Sequence, residues 1–178
     1  MKRRRPFLLL IGAIVALDQL TKWLVVGRLD RHDTHPLVDG LLSLSHVRNY
    51  GAAFGILSDA DLPYQPVLFS ALSLLALCAI AVYAWRLPAE ARLPQWALAL
   101  VLGGALGNLI DRARLGYVVD FVHVYWKQYQ WPDFNLADSA ITIGVCLLVL
   151  DILRSPPQTE RDGRPDELEA ASSAGRTD

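Results

Sequence analysis

The chain has 178 residues, 53% of them hydrophobic, and its mean hydropathy is +0.28. The apolar residues concentrate in four blocks and are scarce in segment 154–178. This distribution is typical of a small membrane protein and excludes an ordinary soluble domain. The formal net charge of −1 gives no support to a basic surface that binds nucleic acid.

The four apolar blocks each have the length of a membrane-spanning helix. They cover about residues 7–26, 67–85, 94–112 and 136–153. A helix of ~20 residues rises ~30 Å, which is the thickness of a bilayer core. The predicted fold class is therefore a membrane all-α core of four transmembrane helices, with residues 1–153 forming one domain.

Glycines in the third block leave two structures open. Gly103, Gly104 and Gly107 either interrupt this helix or allow neighbouring helices to pack closely against it. The Gly103-x-x-x-Gly107 spacing favours close packing.

Basic residues predict the orientation of the spans. They precede the first block, lie in the short loop after the second and follow the fourth: Lys2, Arg3, Arg4, Arg5, Arg86, Arg92, Arg154, Arg161 and Arg164. Because basic loops stay in the cytoplasm, both termini are expected to be cytoplasmic.

A cleavable signal peptide is the rival interpretation of the N-terminus. No small-x-small cleavage site follows its apolar core, however; Asp18, Gln19, Thr21 and Lys22 do.

Segments 27–66 and 111–135 then lie on the extracytoplasmic side. Within them, "LLSLSHVRNYGAAFGIL" and "YVVDFVHVYW" are rich in β-branched and aromatic residues, which predicts strands. We expect a small extracytoplasmic β-sheet, or cradle, resting on the outer membrane face. Segment 154–178 is charged and contains adjacent prolines, so it is expected to be a disordered cytoplasmic tail.

The polar residues of the spans fall at one depth, near the outer ends. The three groups are Asp18 with Lys22, Asn108 with Asp111 and Arg112, and Asn135 with Asp138. Ionisable residues inside a span indicate a functional site. Each group also has a structural interpretation: an ion pair on one helix face, a helix end at the interface, and an N-cap followed by an acidic first turn.

Asp120 points to a particular chemistry because it lies between Val119 and Phe121 in a strand-like run, where aspartate is rare. The chain between Asp120 and Asp138 is long enough for a strand and a return to the head of the fourth span. Two neighbouring carboxyls share one proton. Such a pair can hold a water, deprotonate it for attack on a peptide carbonyl and protonate the leaving nitrogen, as in aspartic proteases.

The cysteines and loop histidines do not indicate a metal site. Cys78 and Cys146 lie inside apolar blocks and are expected to be small buried hydrophobic residues without a disulfide. His32 and His35 are three residues apart, but no third ligand is near them in sequence, which favours a solvated loop.

A second class of function stays open on these residues alone. The chain is either an enzyme or a non-enzymatic carrier or helper subunit that uses its carboxylates as a proton relay. A relay places ionisable groups along a path across the membrane, whereas these groups collect at one face. Cleavage of a lipidated peptide by the purified protein separates the two interpretations.

Five motifs occur in order along the chain: "DQLTKW", "VRNYGAAFG", "GGALGNLIDR", "GYVVDFV" and "FNLADSAI". Together they resemble those of lipoprotein signal peptidase, the bacterial signal peptidase II, over about residues 7–153. The resemblance implies an aspartic endopeptidase of the inner membrane. We expect it to act without a cofactor, as a monomer among membrane lipids. Its substrate would be a prolipoprotein with a diacylglyceryl group on the lipobox cysteine. Cleavage just before that cysteine would remove the signal peptide.

The same resemblance implies roles for individual residues. The catalytic aspartates fall on Asp120 and Asp138. The supporting residues fall on Asp18, Lys22, Asn49, Gly51, Ala52, Ala53, Phe54, Asn108, Asp111, Arg112 and Asn135.

Several of these residues suit a substrate-binding role. Small residues after Asn49 would let an extended substrate backbone approach, and the three asparagines would orient its carbonyls. Arg112 would hold carbonyls of the second extracytoplasmic segment or of the substrate. Segment 58–66 is either a movable lid or a plain connector. Because Asp138 begins a helix and Asp120 has apolar neighbours, we expect Asp120 to carry the shared proton.

Overall fold

A computed structural model describes residues 5–51, 64–88 and 90–154 of the chain. Within these ranges the helices are α1 (Arg5–Arg28), α2 (Gln65–Arg86), α3 (Arg92–Leu115) and α4 (Leu136–Arg154). All four are long and apolar enough to cross a membrane, judged by length and composition. The predicted fold class of four transmembrane helices with a small antiparallel sheet is confirmed.

Helix α3 lies at the centre and packs against the other three helices. Its glycines make close approach possible: a Cβ added at Gly103 would lie 2.8 Å from the Cβ of Ile14 in α1. A Cβ at Gly104 would overlap the backbone oxygen of Ala137 in α4. Since α3 is one unbroken helix, the close-packing interpretation is confirmed and the interrupted helix is wrong.

Large apolar side chains cover the outward surfaces of α1, α2 and α4. Cys78 and Cys146 lie on these surfaces and are exposed, so the expectation that they are buried is wrong. Composition places a residue in an apolar helix but does not say which side of the helix faces protein. In a membrane-spanning helix the unpacked side is covered by lipid.

The sheet contains four antiparallel strands in the order β1 (Thr34–Val38), β2 (Leu42–Asn49), β3 (Val118–Trp126) and β4 (Tyr129–Gln130). Strands β2 and β3 lie in the two runs predicted from sequence. Strand β1 is not indicated by the sequence pattern, and it includes His35, which is exposed but lies in a strand and not in a loop. Pro36 obscures its pattern but is tolerated because β1 is an edge strand. Strand β4 has only two residues.

The connections of β3 bring it to the helix ends. Gly116, with φ +79°, ends α3 in a left-handed cap and donates its N–H to the Arg112 carbonyl at 3.0 Å. After the β3–β4 hairpin, Phe134 pairs with Val122 of β3, and α4 begins two residues later. This return places Asp120 of β3 beside the first turn of α4.

Two expectations concern residues that the structure describes only in part. Ala52, Ala53, Phe54 and the first part of segment 58–66 lie outside the described residues, whereas Gln65 and Pro66 begin α2. Segment 155–178 also lies outside them.

Candidate functional site

Asn135 connects the two aspartates. Its side-chain amide donates to Asp120 Oδ1 at 2.7 Å, and its backbone N–H donates to Asp138 Oδ2 at 3.1 Å. The two carboxylates, one from a strand and one from a helix, therefore meet at one residue. Asn135 is fully buried, so water does not compete for these bonds.

The same residue begins α4. Asn135 Oδ1 accepts the backbone N–H of Asp138 at 3.0 Å, while Asp138 Oδ2 accepts the backbone N–H of Asn135. This reciprocal pair has the geometry of a capping box, with Asn and Asp in place of Ser and Glu. The N-cap interpretation is confirmed. The cap occupies only one oxygen of the Asp138 carboxylate; the other oxygen accepts a hydrogen bond from the side-chain amide of Asn108 at 2.8 Å.

Asp120 is held from its other side by strand β2. The Asn49 amide donates to Asp120 Oδ2 at 3.0 Å, and Asp120 is only 2% exposed. Burial raises the pKa of Asp120 to about 7, and the nearby charge of Asp138 adds to this rise against the hydrogen bonds from Asn49 and Asn135. The raised pKa supports the hypothesis that Asp120 carries the shared proton.

A buried ionic cluster lies next to these two aspartates. The Lys22 ammonium is 2.9 Å from Asp18, 3.0 Å from Asp111 and 2.8 Å from the side-chain oxygen of Asn108. The predicted Asp18–Lys22 ion pair is confirmed, and Asp111 belongs to it as well. The alternative that Asp111 and Arg112 simply end a helix does not hold, since α3 continues to Leu115.

Both carboxylates of the cluster also bind backbone. Asp18 accepts the N–H of Ala137 at 3.0 Å, and Asp111 accepts the N–H of Val119 at 3.1 Å. Gly107 makes room for this arrangement, because a Cβ there would lie 2.5 Å from Asp18 Oδ2.

Gln19 is a member of the cluster that sequence reasoning missed. Its side-chain amide donates to Asp111 at 2.9 Å and to the Gly107 carbonyl at 3.2 Å. The available signal was an uncharged amide inside an apolar span, directly after Asp18.

Arg112 lies beside these carboxylates. Its guanidinium interacts electrostatically with Asp138, Asp120 and Asp111, and one of its terminal nitrogens is 3.5 Å from the Ser73 hydroxyl. Its Nε is buried without a hydrogen-bond partner among the described residues. A guanidinium with free donors next to an aspartate pair is suited to binding a carbonyl oxygen.

The three asparagines are arranged differently from the expectation that they orient substrate carbonyls. Their side-chain amides bind the aspartates, as described above for Asn49, Asn108 and Asn135. Asn49 in addition accepts the N–H of Gly51 at 2.8 Å, and Gly51 adopts φ +108°. The three groups of polar residues thus form one connected network with Asp120 at one end of the helices.

Comparisons with known proteins agree on one family. A family profile described as "Signal peptidase (SPase) II" matches residues 10–154. The chain is 45% identical over 158 residues to a lipoprotein signal peptidase of Geobacter metallireducens, covering 89% of this chain and 96% of that protein. It is 50% identical over 144 residues to one of Geobacter sulfurreducens, covering 81% and 88%.

Solved structures are similar as well. A structure described as a bacterial membrane enzyme, determined by the in meso method, superimposes with a TM-score of 0.75 at 32% identity. The superposition covers 89% of this chain and 94% of that one. A second structure with the same description has a TM-score of 0.74 at 34% identity, covering 85% and 94%.

Proposed function

This chain belongs to the signal peptidase II family, the enzymes that remove signal peptides from prolipoproteins, and we propose that Asp120 and Asp138 are its catalytic pair. Since the family consists of membrane-bound aspartic peptidases, the chain is a multi-pass membrane enzyme, and the carrier interpretation is not retained. One observation carries the proposal: Asn135 hydrogen-bonds both carboxyls.

The two carboxyls have unequal roles in the proposed reaction. Asp138 is the ionised partner and takes a proton from the attacking water. Asp120 is the protonated partner and polarises the scissile carbonyl. After attack, the proton taken by Asp138 passes to the leaving nitrogen, and the peptide bond breaks. The raised pKa of Asp120 supports this division of roles.

Arg112 is the supporting residue best suited to contact the substrate. Its guanidinium lies beside the pair and retains a free buried donor among the described contacts. It would bind a substrate carbonyl and hold the scissile bond over the aspartates. Ala52 and Ala53 would leave room for an extended substrate backbone, and Phe54 completes this motif, whereas Gly51 makes room for the ring of Phe69 in α2.

The proposed substrate is a prolipoprotein whose lipobox cysteine carries a diacylglyceryl group, and cleavage occurs just before this cysteine. The lipid would anchor the bond at the membrane surface. The polar network lies at one end of helices that otherwise present apolar surfaces, which suits this depth. The enzyme would act as a monomer, with membrane lipid around it.

The proposed orientation places this end outside the cytoplasm and both termini inside, in the cytoplasmic membrane of a bacterium. Arg5, Arg86, Arg92 and Arg154 all lie at the opposite ends of the helices from the aspartates, as the positive-inside tendency requires. The sheet would rest on the outer membrane face.

Cleavage of a defined peptide tests the proposal. Protein purified in detergent is incubated with a lipobox peptide carrying diacylglyceryl-cysteine, without added metal or nucleotide. Mass spectrometry should identify cleavage at the bond before the cysteine and much slower cleavage of the same peptide without the lipid. If folded enzyme leaves the lipidated peptide intact, or cuts both peptides equally, the proposal is wrong.

A further inference from the structure

We infer that Lys22 is a positioning residue that sets the spacing between Asp120 and Asp138. The inference rests on the proposed function. Lys22 is hydrogen-bonded to neither aspartate within the described part of the chain, but its three hydrogen-bond partners each lead to one of them. Its side chain is only 3% exposed, so the ammonium is held by protein groups.

The first connection runs to the helix that carries Asp138. Lys22 binds Asp18 Oδ2 at 2.9 Å, and Asp18 Oδ1 accepts the N–H of Ala137 at 3.0 Å. Ala137 directly precedes Asp138 in the first turn of α4. One side chain of α1 thereby fixes where that turn lies relative to Lys22.

The second connection runs to the strand that carries Asp120. Lys22 binds Asp111 Oδ2 at 3.0 Å, and the same oxygen accepts the N–H of Val119 at 3.1 Å. Val119 directly precedes Asp120 in β3. The two carboxylates around the ammonium are therefore each bound to the residue just before one member of the pair.

The third connection sets the direction of an amide. Lys22 has only donors, so the oxygen of Asn108 faces it at 2.8 Å. The Asn108 nitrogen must then point away, and it donates to Asp138 Oδ1 at 2.8 Å. The side-chain amide of Asn135 donates to the same oxygen at 3.2 Å, so the ammonium and this amide together keep the Asn108 nitrogen directed at Asp138. Removing the ammonium takes away the shorter of these two contacts.

An ordinary structural ion pair explains these contacts less well. Holding α1 to its neighbours requires one carboxylate, whereas Lys22 binds two, each attached to backbone beside the dyad. A compact ammonium with three donors is also the group that can hold three oxygens at once. If it is removed, two buried carboxylates repel each other and the elements bearing Asp120 and Asp138 separate.

Single substitutions test each connection. Asp18→Asn and Asp111→Asn keep an oxygen for the backbone N–H and place an amide against Lys22, which the other carboxylate still neutralises. Each should lower kcat for the lipidated peptide about 100-fold, the effect of misplacing a reacting group by about 1 Å, with KM changed less than about threefold. Lys127→Met, which alters the exposed lysine of the β3–β4 hairpin, is the matched control and should leave both constants unchanged.

A charge-neutral triple variant separates positioning from stability. Lys22→Met, Asp18→Asn and Asp111→Asn together leave no buried charge unpaired, so thermal stability should approach that of the wild type. Positioning predicts that kcat nevertheless stays about 100-fold low. A merely structural ion pair predicts that activity returns with stability, and wild-type kcat in this variant or in both single variants overturns the inference. If the triple variant does not fold, the single variants decide.

The roles of Asp120 and Asp138 are tested separately from the role of Lys22. An inactive Asp120→Asn enzyme together with fully active Asp18→Asn and Asp111→Asn enzymes would remove the inference and leave the proposed function intact. An active Asp120→Asn enzyme would remove both.

Discussion

The side-chain nitrogen of Asn135 lies 2.7 Å from Oδ1 of Asp120, and this bond joins the sheet to the start of a membrane helix. The same residue caps α4 and exchanges two hydrogen bonds with Asp138. The start of the helix and the proposed active site are therefore one structure. A change at Asn135 acts on stability through the cap and on catalysis through Asp120, and different substitutions can separate the two effects.

Replacing Asn135 by serine or alanine should make this separation. Serine is a good N-cap, so Asn135→Ser should be more stable than Asn135→Ala by about 1 kcal/mol. Neither side chain is long enough to replace the amide bond to Asp120, so both variants should lose most of their turnover. The measurements are thermal unfolding in detergent and cleavage of the lipidated peptide. Serine restoring activity along with stability would mean that the bond to Asp120 is dispensable.

Replacing either member of the pair should abolish cleavage. Asp120→Asn and Asp138→Asn remove the ionisable group and conserve shape, so each protein should remain folded in the membrane. Because the two carboxyls act as a unit, the double variant should be no worse than either single variant. Asp39→Asn, in the exposed β1–β2 turn, is the control and should be fully active. Turnover above the background rate in either single variant would refute the assignment.

Both aspartates were within reach of sequence reasoning because each breaks a local rule. Asp120 is a carboxylate in a β-branched strand, and Asp138 follows Asn135 at the spacing of a helix cap. The equal depth of the polar groups in their spans predicted that they meet. The backbone contacts of Asp18 with Ala137 and of Asp111 with Val119 were not predictable, because no sequence pattern specifies which distant N–H a buried carboxylate binds.

The asparagines show a second limit. An amide at a site has both donors and an acceptor, so its residue type does not reveal whether it faces substrate or protein. The orientation of Asn108 follows only once its oxygen is known to accept from Lys22 at 2.8 Å and from Asn135 at 3.2 Å. Strand β4, with two residues, is likewise too short for any pattern to indicate.

Gly107→Ala should destabilise the packing of α1 against α3. The added Cβ would lie 2.5 Å from Asp18 Oδ2, and the buried cluster leaves the carboxylate no room to move. We expect a loss of about 1–3 kcal/mol, typical of overpacking in a core, together with reduced turnover. Gly12→Ala is the matched control, because nothing lies within 4 Å of a Cβ there. Equal thermal stability of the two variants would show that α1 and α3 can move apart to accommodate the added methyl group without loss of stability.

Trp126 and Trp131 should report whether the sheet rests on the membrane. Both lie at the β3–β4 hairpin and are 63% exposed, and tryptophan favours the interface between lipid headgroups and acyl chains. The measurement is tryptophan fluorescence in liposomes, with variants that retain only one of these two tryptophans. Lipids brominated close to the headgroup should quench this fluorescence more strongly than aqueous iodide does. Strong iodide quenching of Trp126 and Trp131 would place the hairpin in water.

The pH dependence of cleavage should follow the protonation of Asp120. Its pKa is raised from 3.8 to about 7, mainly by burial, so kcat/KM should fall above pH 7 as the shared proton is lost.

The raised pKa of Asp120 also makes the stability of the fold depend on pH. The native state binds this proton more tightly than the unfolded state, so the stability contributed by Asp120 is complete below pH 3.8 and disappears as the pH rises through about 7.

Asn49→Leu tests whether Asp120 causes the fall of kcat/KM at high pH. The Asn49 hydrogen bond lowers the pKa of Asp120, so its removal should raise this pKa further and move the fall in kcat/KM to higher pH. The maximal rate should decrease, because Asp120 loses one of the two amides that hold it. A profile measured between pH 5 and 9 separates these effects. If kcat/KM falls at the same pH as in the wild type, or at a lower pH, the fall must be caused by a group other than Asp120.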